Sequence, residues 1–227
     1  DLIRTLKSKQ VDGIIIAPTK VSRKGVDLLS KDTLPYVLVD RYYPNLQSNY
    51  VIVNNSKSCY DVVYHIGKKG SSKIALLTTD MHLHVMKQRV EGYRKALHDL
   101  GQEINLSLEL FVDRANYQTD IVDKLDTLFQ EIPDVDGFFF STHYLAFEAI
   151  RYFINRKIDY HHLFNMGCFH DTPGLDILAP EMCVSRMPIE RIGTESVKII
   201  IDNIRDIESF DFQNIVLDNE FYPTMLK

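Results

Sequence analysis

Arg89 is the residue whose type and position in this 227-residue chain point most directly to chemistry. An apolar run, Ile74-Ala75-Leu76-Leu77, precedes it and reads as a buried strand, closed by two threonines and Asp80. A loop holding His82 and His84 follows. Val90, Tyr93, Leu97 and Leu100 then recur at i, i+3, i+7 and i+10, which gives a helix with one apolar face, and Gly101 stands where a C-capping glycine belongs. Arg89 is therefore expected in the first turns of a helix just past a strand end. In open α/β sheets ligands collect outside the carboxyl ends of strands. A planar guanidinium with five donors can hold a carboxylate or a pair of hydroxyls there. The plainer alternative is a surface arginine paired with Glu91 or Asp80.

Other reactive residue types are present without the pattern that would make them a catalytic site. Ser141, His143 and Asp171 supply the types of a nucleophilic triad, but the chain has no G-x-S-x-G elbow, and Ser141 should still be leaving its strand. No G-x-G-x-x-G or Walker spacing offers a nucleotide cofactor its cradle. His82 and His84 could meet His143 and His170, yet no spacing of three or four convergent ligands is visible, so no metal is expected. His161-His162 reads as a solvated loop. The expectation is a binding protein, not an enzyme, with no cofactor.

Around these residues the chain alternates strands and helices. Ile14 to Ala17, Pro35 to Val39, Tyr50 to Val53, Ile74 to Leu77, Leu106 to Val112, Val135 to Phe140 and Leu163 to Phe169 read as strands. Met182 to Arg186 is a short extended piece, and Phe212 to Tyr222 is a mostly extended tail. Helices fall between them, one opened by the capping side chains of Asn54-Asn55-Ser56 and one by Pro188. This alternation predicts an α/β protein of parallel sheets flanked by helices on both faces. An apolar fraction of 45% suits a folded chain. The net charge of −5, with no basic run longer than Lys68-Lys69, argues against these residues gripping nucleic acid. Three scattered cysteines, Cys59, Cys168 and Cys183, fit thiols packed as small hydrophobes in a reducing compartment. No apolar run approaches the ~18 residues of a membrane helix, and no signal peptide is expected.

Four motifs, in order, resemble the effector-binding core of the LacI/GalR family of bacterial transcriptional regulators. They are Val11-Asp12-Gly13 through Pro18, Leu34 through Arg41, Gln88 through Leu97, and Pro188 through Gly193. The resemblance covers about Leu2 to Pro223. It implies two doubly wound α/β lobes of the periplasmic-binding-protein-like type I, crossed three times by the chain, with a small ligand between them. Crossings are then expected near Ser71, near Cys183 and near Ile207 to Asp211. The expected lobes are 1–71 plus 184–208, N-terminally truncated because a strand-helix-strand is missing, and 72–183 plus 209–227. The resemblance further implies a sugar or sugar-acid effector, a cytoplasmic homodimer, and operator DNA reached through an N-terminal helix-turn-helix absent here. A solute-binding protein of a transport system is the alternative. The tyrosines and phenylalanines of the Tyr144–Arg156 helix are candidates for the dimer contact.

By the resemblance Arg89 is the arginine that reaches the ligand. Asp171 and His170 are expected at a strand end facing the cleft, Asp171 accepting from adjacent hydroxyls or else capping a loop. His143 opens a helix where an imidazole can donate to an anion. Arg114 and Asn116 lie in the loop after another strand. Asp40 and Arg41 end a first-lobe strand and could simply pair with each other. Where the family often carries Asn-Asp this chain has Thr142-His143, and where it carries an Asp pair this chain has Cys168-Phe169-His170-Asp171. The usual sugar-binding groups are thus partly replaced.

Overall fold

The structure is a computed structural model that describes residues 2–19, 21–79, 81–205 and 211–225. The chain opens with α1 (Leu2–Ser8), β1 (Ile14–Ile16), α2 (Arg23–Leu29), β2 (Tyr36–Val39), β3 (Asn49–Val53) and α3 (Asn55–Lys68). It continues through β4 (Ile74–Thr79), α4 (His84–Asp99), a 3-10 turn at Leu106–Leu108, β5 (Glu109–Val112), α5 (Tyr117–Glu131) and β6 (Gly137–Phe140). Then come α6 (His143–Arg156), α7 (Tyr160–Leu163), β7 (Asn165–Phe169), α8 (Leu175–Leu178) and β8 (Cys183–Arg186). It ends with α9 (Ile189–Arg205), β9 (Asn214–Leu217) and β10 (Glu220–Tyr222). Two compact units result, 1–54 with 188–218 and 55–187 with 219–227.

In the first unit β1, β2, β3 and β9 pair in that order, all parallel. A parallel sheet needs cover on both faces. Ile3 of α1 with Val26 and Leu29 of α2 bury Ile14, Tyr36 and Leu38 on one face, and α9 packs over β1, β2 and β3. That two-sided cover is why Tyr36-Val37-Leu38 is an uninterrupted buried run and not an alternating one.

The second unit holds a six-stranded sheet in the order β10-β8-β7-β6-β4-β5, parallel except for β10 against β8. One face is packed by aromatic side chains, with Phe129, Phe138, Phe153 and Phe164 in mutual ring contact. Cys59, Val62, Val63 and Ile66 of α3 are fully buried, and α3 packs on α4, β7 and β8. Gly92 of α4 meets α3 at its closest approach: a Cβ there would lie 2.2 Å from the carbonyl oxygen of Ser56. No other residue fits that crossing without moving a backbone.

The divisions between units fall at 54/55, 187/188 and 218/219, and not at the expected 71, 183 and 207–211. Helix α3 goes with the second unit because its apolar face lies on β7, β8 and α4. The extended tail is two strands with a break between them: β9 pairs parallel with β3, while β10 pairs antiparallel with β8. Residues 206–210, which hold most of the third expected crossing, lie outside the described residues, and so does Asp80, offered above as a partner of Arg89. The expected strand from Leu106 begins with a 3-10 turn, where the Asn105 side chain accepts from the Ser107 amide at 3.0 Å.

Candidate functional site

The carboxyl ends of β4, β6, β7 and β8 in the second unit come to one level, with Leu77, Phe140, Cys168 and Val184 in register. Beyond that row the strands bend into loops and helix starts, and most of the predicted side chains gather there. Ser141 continues β6, its amide donating to the Leu77 carbonyl at 2.9 Å, and its hydroxyl donates to Thr78 Oγ1, also at 2.9 Å. That bond is not the contact with a base that a nucleophilic triad requires.

Arg89 lies in the second turn of α4 and is 6% exposed, so it is no surface arginine. Its Nε donates to Asn55 Oδ1 at 2.9 Å and its Nη1 donates to the Ser141 carbonyl at 2.7 Å. The guanidinium carbon stands 3.5 Å over the centre of the Phe169 ring. One side chain therefore ties the starts of α3 and α4 to the ends of β6 and β7. Desolvation makes such a cation–π contact stronger than a surface one.

His143 is the first residue of α6, after the N-cap Thr142. Burial, then the charge of Arg89, pushes its imidazole below the usual histidine value. His170 follows β7 with φ +64, a left-handed conformation that histidine tolerates better than most residues. Burial lowers its pKa too. Asp171 pulls the other way, but His143, Arg186 and Arg89 add to the lowering. The Met187 amide donates to His170 Nδ1 at 3.2 Å, which requires that nitrogen to be unprotonated. The 3.8 Å approach of Asp171 to the same nitrogen is thus not an ion pair in the neutral form.

Asp171 is clamped by Arg186. Nε lies 3.1 Å from both carboxylate oxygens, Nη2 lies 2.5 Å from Oδ2, and the guanidinium stacks 4.4 Å over the Tyr222 ring. Burial raises the pKa of this carboxyl, but the Arg186 bonds and charge outweigh it and the net shift is downward. Asp171 thus reaches the strand ends with both oxygens already engaged.

The other predicted residues stand apart. Arg114 and Asn116 are exposed in the loop after the edge strand β5, where Asn116 Nδ2 donates to Asp113 Oδ2 at 3.1 Å. Asp40 and Arg41 belong to the first unit and pair with each other at 3.3 Å, while Arg41 Nη1 reaches the Pro18 carbonyl at 3.4 Å. Among the described residues no group of three or more His, Cys, Asp or Glu side chains is placed to hold a metal ion. His161 and His162 fall in α7, not in a loop, and sit near Glu181 and Asp159. The three cysteines are free and buried, and burial pushes the thiols of Cys59 and Cys183 up to about 12.

Sequence reasoning missed Asn55 and Phe169 as partners of Arg89, and Arg186 as the clamp on Asp171. Asn55 stood out only as a capping residue. Arg186 carried a signal of position, an arginine closing a short strand just before Met187-Pro188. Nothing local marks Phe169 as the ring beneath a guanidinium 80 residues earlier.

The family model described as "Periplasmic binding proteins and sugar binding domain of LacI family" matches residues 1–149, more than half of the chain. The sucrose operon repressor of Staphylococcus xylosus is 25% identical over 225 residues, covering 97% of this chain and 66% of the repressor. The regulator DegA of Bacillus subtilis is 24% identical over 193 residues, covering 84% of this chain and 56% of its own length. The chain thus spans less than two thirds of these curated relatives. The solved complex of the transcriptional regulator CelR with cellobiose superposes with a TM-score of 0.84 at 22% identity, covering 97% of this chain and 67% of that one. Its fold is that of the parallel-sheet units described above. No helix among the described residues is long and apolar enough to cross a membrane. The chain belongs to the family of periplasmic binding proteins and LacI-type sugar-binding domains.

Proposed function

We propose that this chain is the effector-sensing part of a LacI/GalR-type transcriptional regulator, taking a small sugar or sugar derivative at the strand ends of its second unit. The observation that carries this reading is Arg89, a buried guanidinium held by Asn55, Ser141 and Phe169 at the carboxyl end of a parallel sheet. His143 and His170 flank it as neutral imidazoles able to donate or accept. A ligand bound there favours one arrangement of the two units, and by linkage operator and effector each change the other's affinity by the same factor. The protein acts by binding, not by catalysis.

The working form in this reading is a cytoplasmic homodimer whose helix-turn-helix heads lie outside these residues. Within α6 the four aromatics expected at the dimer contact turn to the unit's own core: Tyr152 and Phe153 are buried in it, and Tyr144 and Phe147 pack against it. The alternative, a solute-binding protein of a transporter, shares the fold. The curated relatives named above are transcriptional regulators, which favours the first reading.

Calorimetric titration of the chain with mono- and disaccharides tests the proposal. Saturable binding that Arg89→Lys weakens about ten-fold or more, for loss of the planar fork, is the expected result. Binding to no sugar, or binding indifferent to Arg89, would overturn it. A sedimentation measurement showing only monomer at high concentration would remove the dimer.

A further inference from the structure

We infer that the free edge of β5 is a docking site for an extended segment of another protein, one with two basic residues four apart on one face and apolar residues on the other. The inference stands apart from the effector reading above: Arg89, His143, His170 and Asp171 take no part in it.

β5 ends the six-stranded sheet. It pairs with β4, and among the described residues no strand lies on its other side. An open edge of this kind is a template for a further strand. Proteins commonly blunt such edges with lysine or proline, and Glu109-Leu110-Phe111-Val112 contains neither. Exposed apolar side chains gather around it instead: Ile104 and Leu106 before the strand and Phe111 within it. A groove of about 360 Å³ runs beside the strand, with Leu106 and Leu110 on one wall and Asp120, Asp123, Thr127 and Glu131 of α5 on the other. Because Leu110 lines the groove, Phe111, next along the strand, lies on the opposite face of the sheet.

The charges of the groove decide what kind of segment fits. Lys124 is the one cation among the lining residues, and it stands 3.7 Å from Asp120. Glu109 is already held by Arg94, whose Nε and Nη2 each donate to it at 2.7 Å. Asp123 and Glu131 are exposed, and among the described residues neither shares an ion pair. Both lie on α5, about 12 Å apart along the helix axis. An extended strand covers that distance in about four residues at ~3.3 Å each, and its residues i and i+4 share a face. Lysine or arginine at those two positions therefore meets both carboxylates at once. The other face of the added strand sets an apolar side chain beside Phe111. A second copy of this chain would bring a second acidic α5 to the same edge, like charge against like. Charge complementarity thus favours a basic segment of another protein as the occupant.

The test is fluorescence anisotropy of a labelled, end-blocked nine-residue peptide titrated with the 227-residue chain at low salt. The peptide has lysine at its third and seventh positions, threonine at the other odd positions and valine at the even ones. Its counterpart has glutamate in place of both lysines. The lysine peptide should bind roughly ten-fold or more tightly than the glutamate peptide, from two exposed ion pairs gained against two like-charge contacts, and ~1 M salt should remove the difference. The double variant Asp123→Lys with Glu131→Lys should reverse the preference, and its melting temperature checks that it folds. N-methylation of the amides along one edge of the lysine peptide should abolish binding, and along the other edge leave it nearly unchanged, which a contact between charges alone would not do. Equal binding of the two peptides, binding that both N-methylated forms retain, or a preference that the double variant does not alter overturns the inference. Self-association of the chain that the peptide displaces would put a second copy at the edge and overturn it as well.

Discussion

Arg89 is both a recognition group and a structural tie, and the two roles predict different things. On the sequence alone, Arg89→Ala should weaken ligand binding and leave the melting temperature nearly unchanged. The hydrogen bonds to Asn55 and Ser141 make that second half untenable. Alanine would take one charged donor away from each of two buried acceptors, at about 1–3 kcal/mol for each bond lost. For a domain of this size each kcal/mol lowers the melting temperature by roughly 2–4 °C. We therefore expect Arg89→Ala to melt several degrees below the parent in the absence of ligand, measured by circular dichroism. An unchanged melt would show that water replaces both bonds without loss. The position of this arginine was legible in the sequence, because strand, loop and helix could be counted off around it. Its burial was not, since that depends on Phe169 and Asn55, which pairing of distant strands brings in.

The histidines make a pH prediction at the same scale. His143 and His170 both titrate lower when folded than when unfolded. The unfolded chain therefore binds more protons as pH falls below the ordinary histidine value of about 6.5. Stability should be full above that value and decline as pH drops through it towards the folded pKa. Melting temperature recorded from pH 7.5 to 5 should show this slope. His170→Asn, which keeps a residue tolerant of positive φ, should flatten it. A slope undiminished in the double variant His170→Asn with His143→Gln would place its origin elsewhere. Asp171 acts in a lower window: its folded pKa is depressed, so its contribution holds at neutral pH and is lost only as pH falls below about 4.

Among the elements, the pairing of α3 with α4 decides where Asn55 meets Arg89. Gly92 sets the distance between the two helices, through the Ser56 carbonyl that leaves no room for a Cβ. Gly92→Ala should push α3 away, cost about 1–3 kcal/mol in urea unfolding, and weaken sugar binding by displacing Asn55. Preserved binding in a destabilised Gly92→Ala protein would separate the helix contact from the site. Gly92 was visible in sequence only as part of a motif, because periodicity shows which face of a helix is apolar but not how near its neighbour comes. Helix α3 shows the same limit. Its buried stripe of Cys59, Val62, Val63 and Ile66 was plain from spacing, yet spacing could not say which sheet receives it. The tail shows it again. Alternation marked Phe212 to Tyr222 as extended, while the change of partner from β3 to β8 at Asp218-Asn219 has no local signature.

At the scale of the whole molecule, each unit has its own sheet and its own core, yet three chain segments join them. Ligand binding stabilises whatever part of the native state it contacts, by RT ln(1 + [L]/Kd), about 2.7 kcal/mol at a hundred-fold excess over Kd. Hydrogen exchange read separately over β2 and β3 and over β6 and β7 can show how that stabilisation is distributed. The site residues built above belong to the second unit, so amides of β6, β7 and the start of α6 should gain the most protection. A sensor must also pass the binding energy on: protection in β2 and β3 should rise with ligand, by less, and Arg89→Lys should reduce both together. Protection confined to the second unit would leave a binding site uncoupled from the first. In that case the chain would be a sugar receptor whose signal leaves by another route.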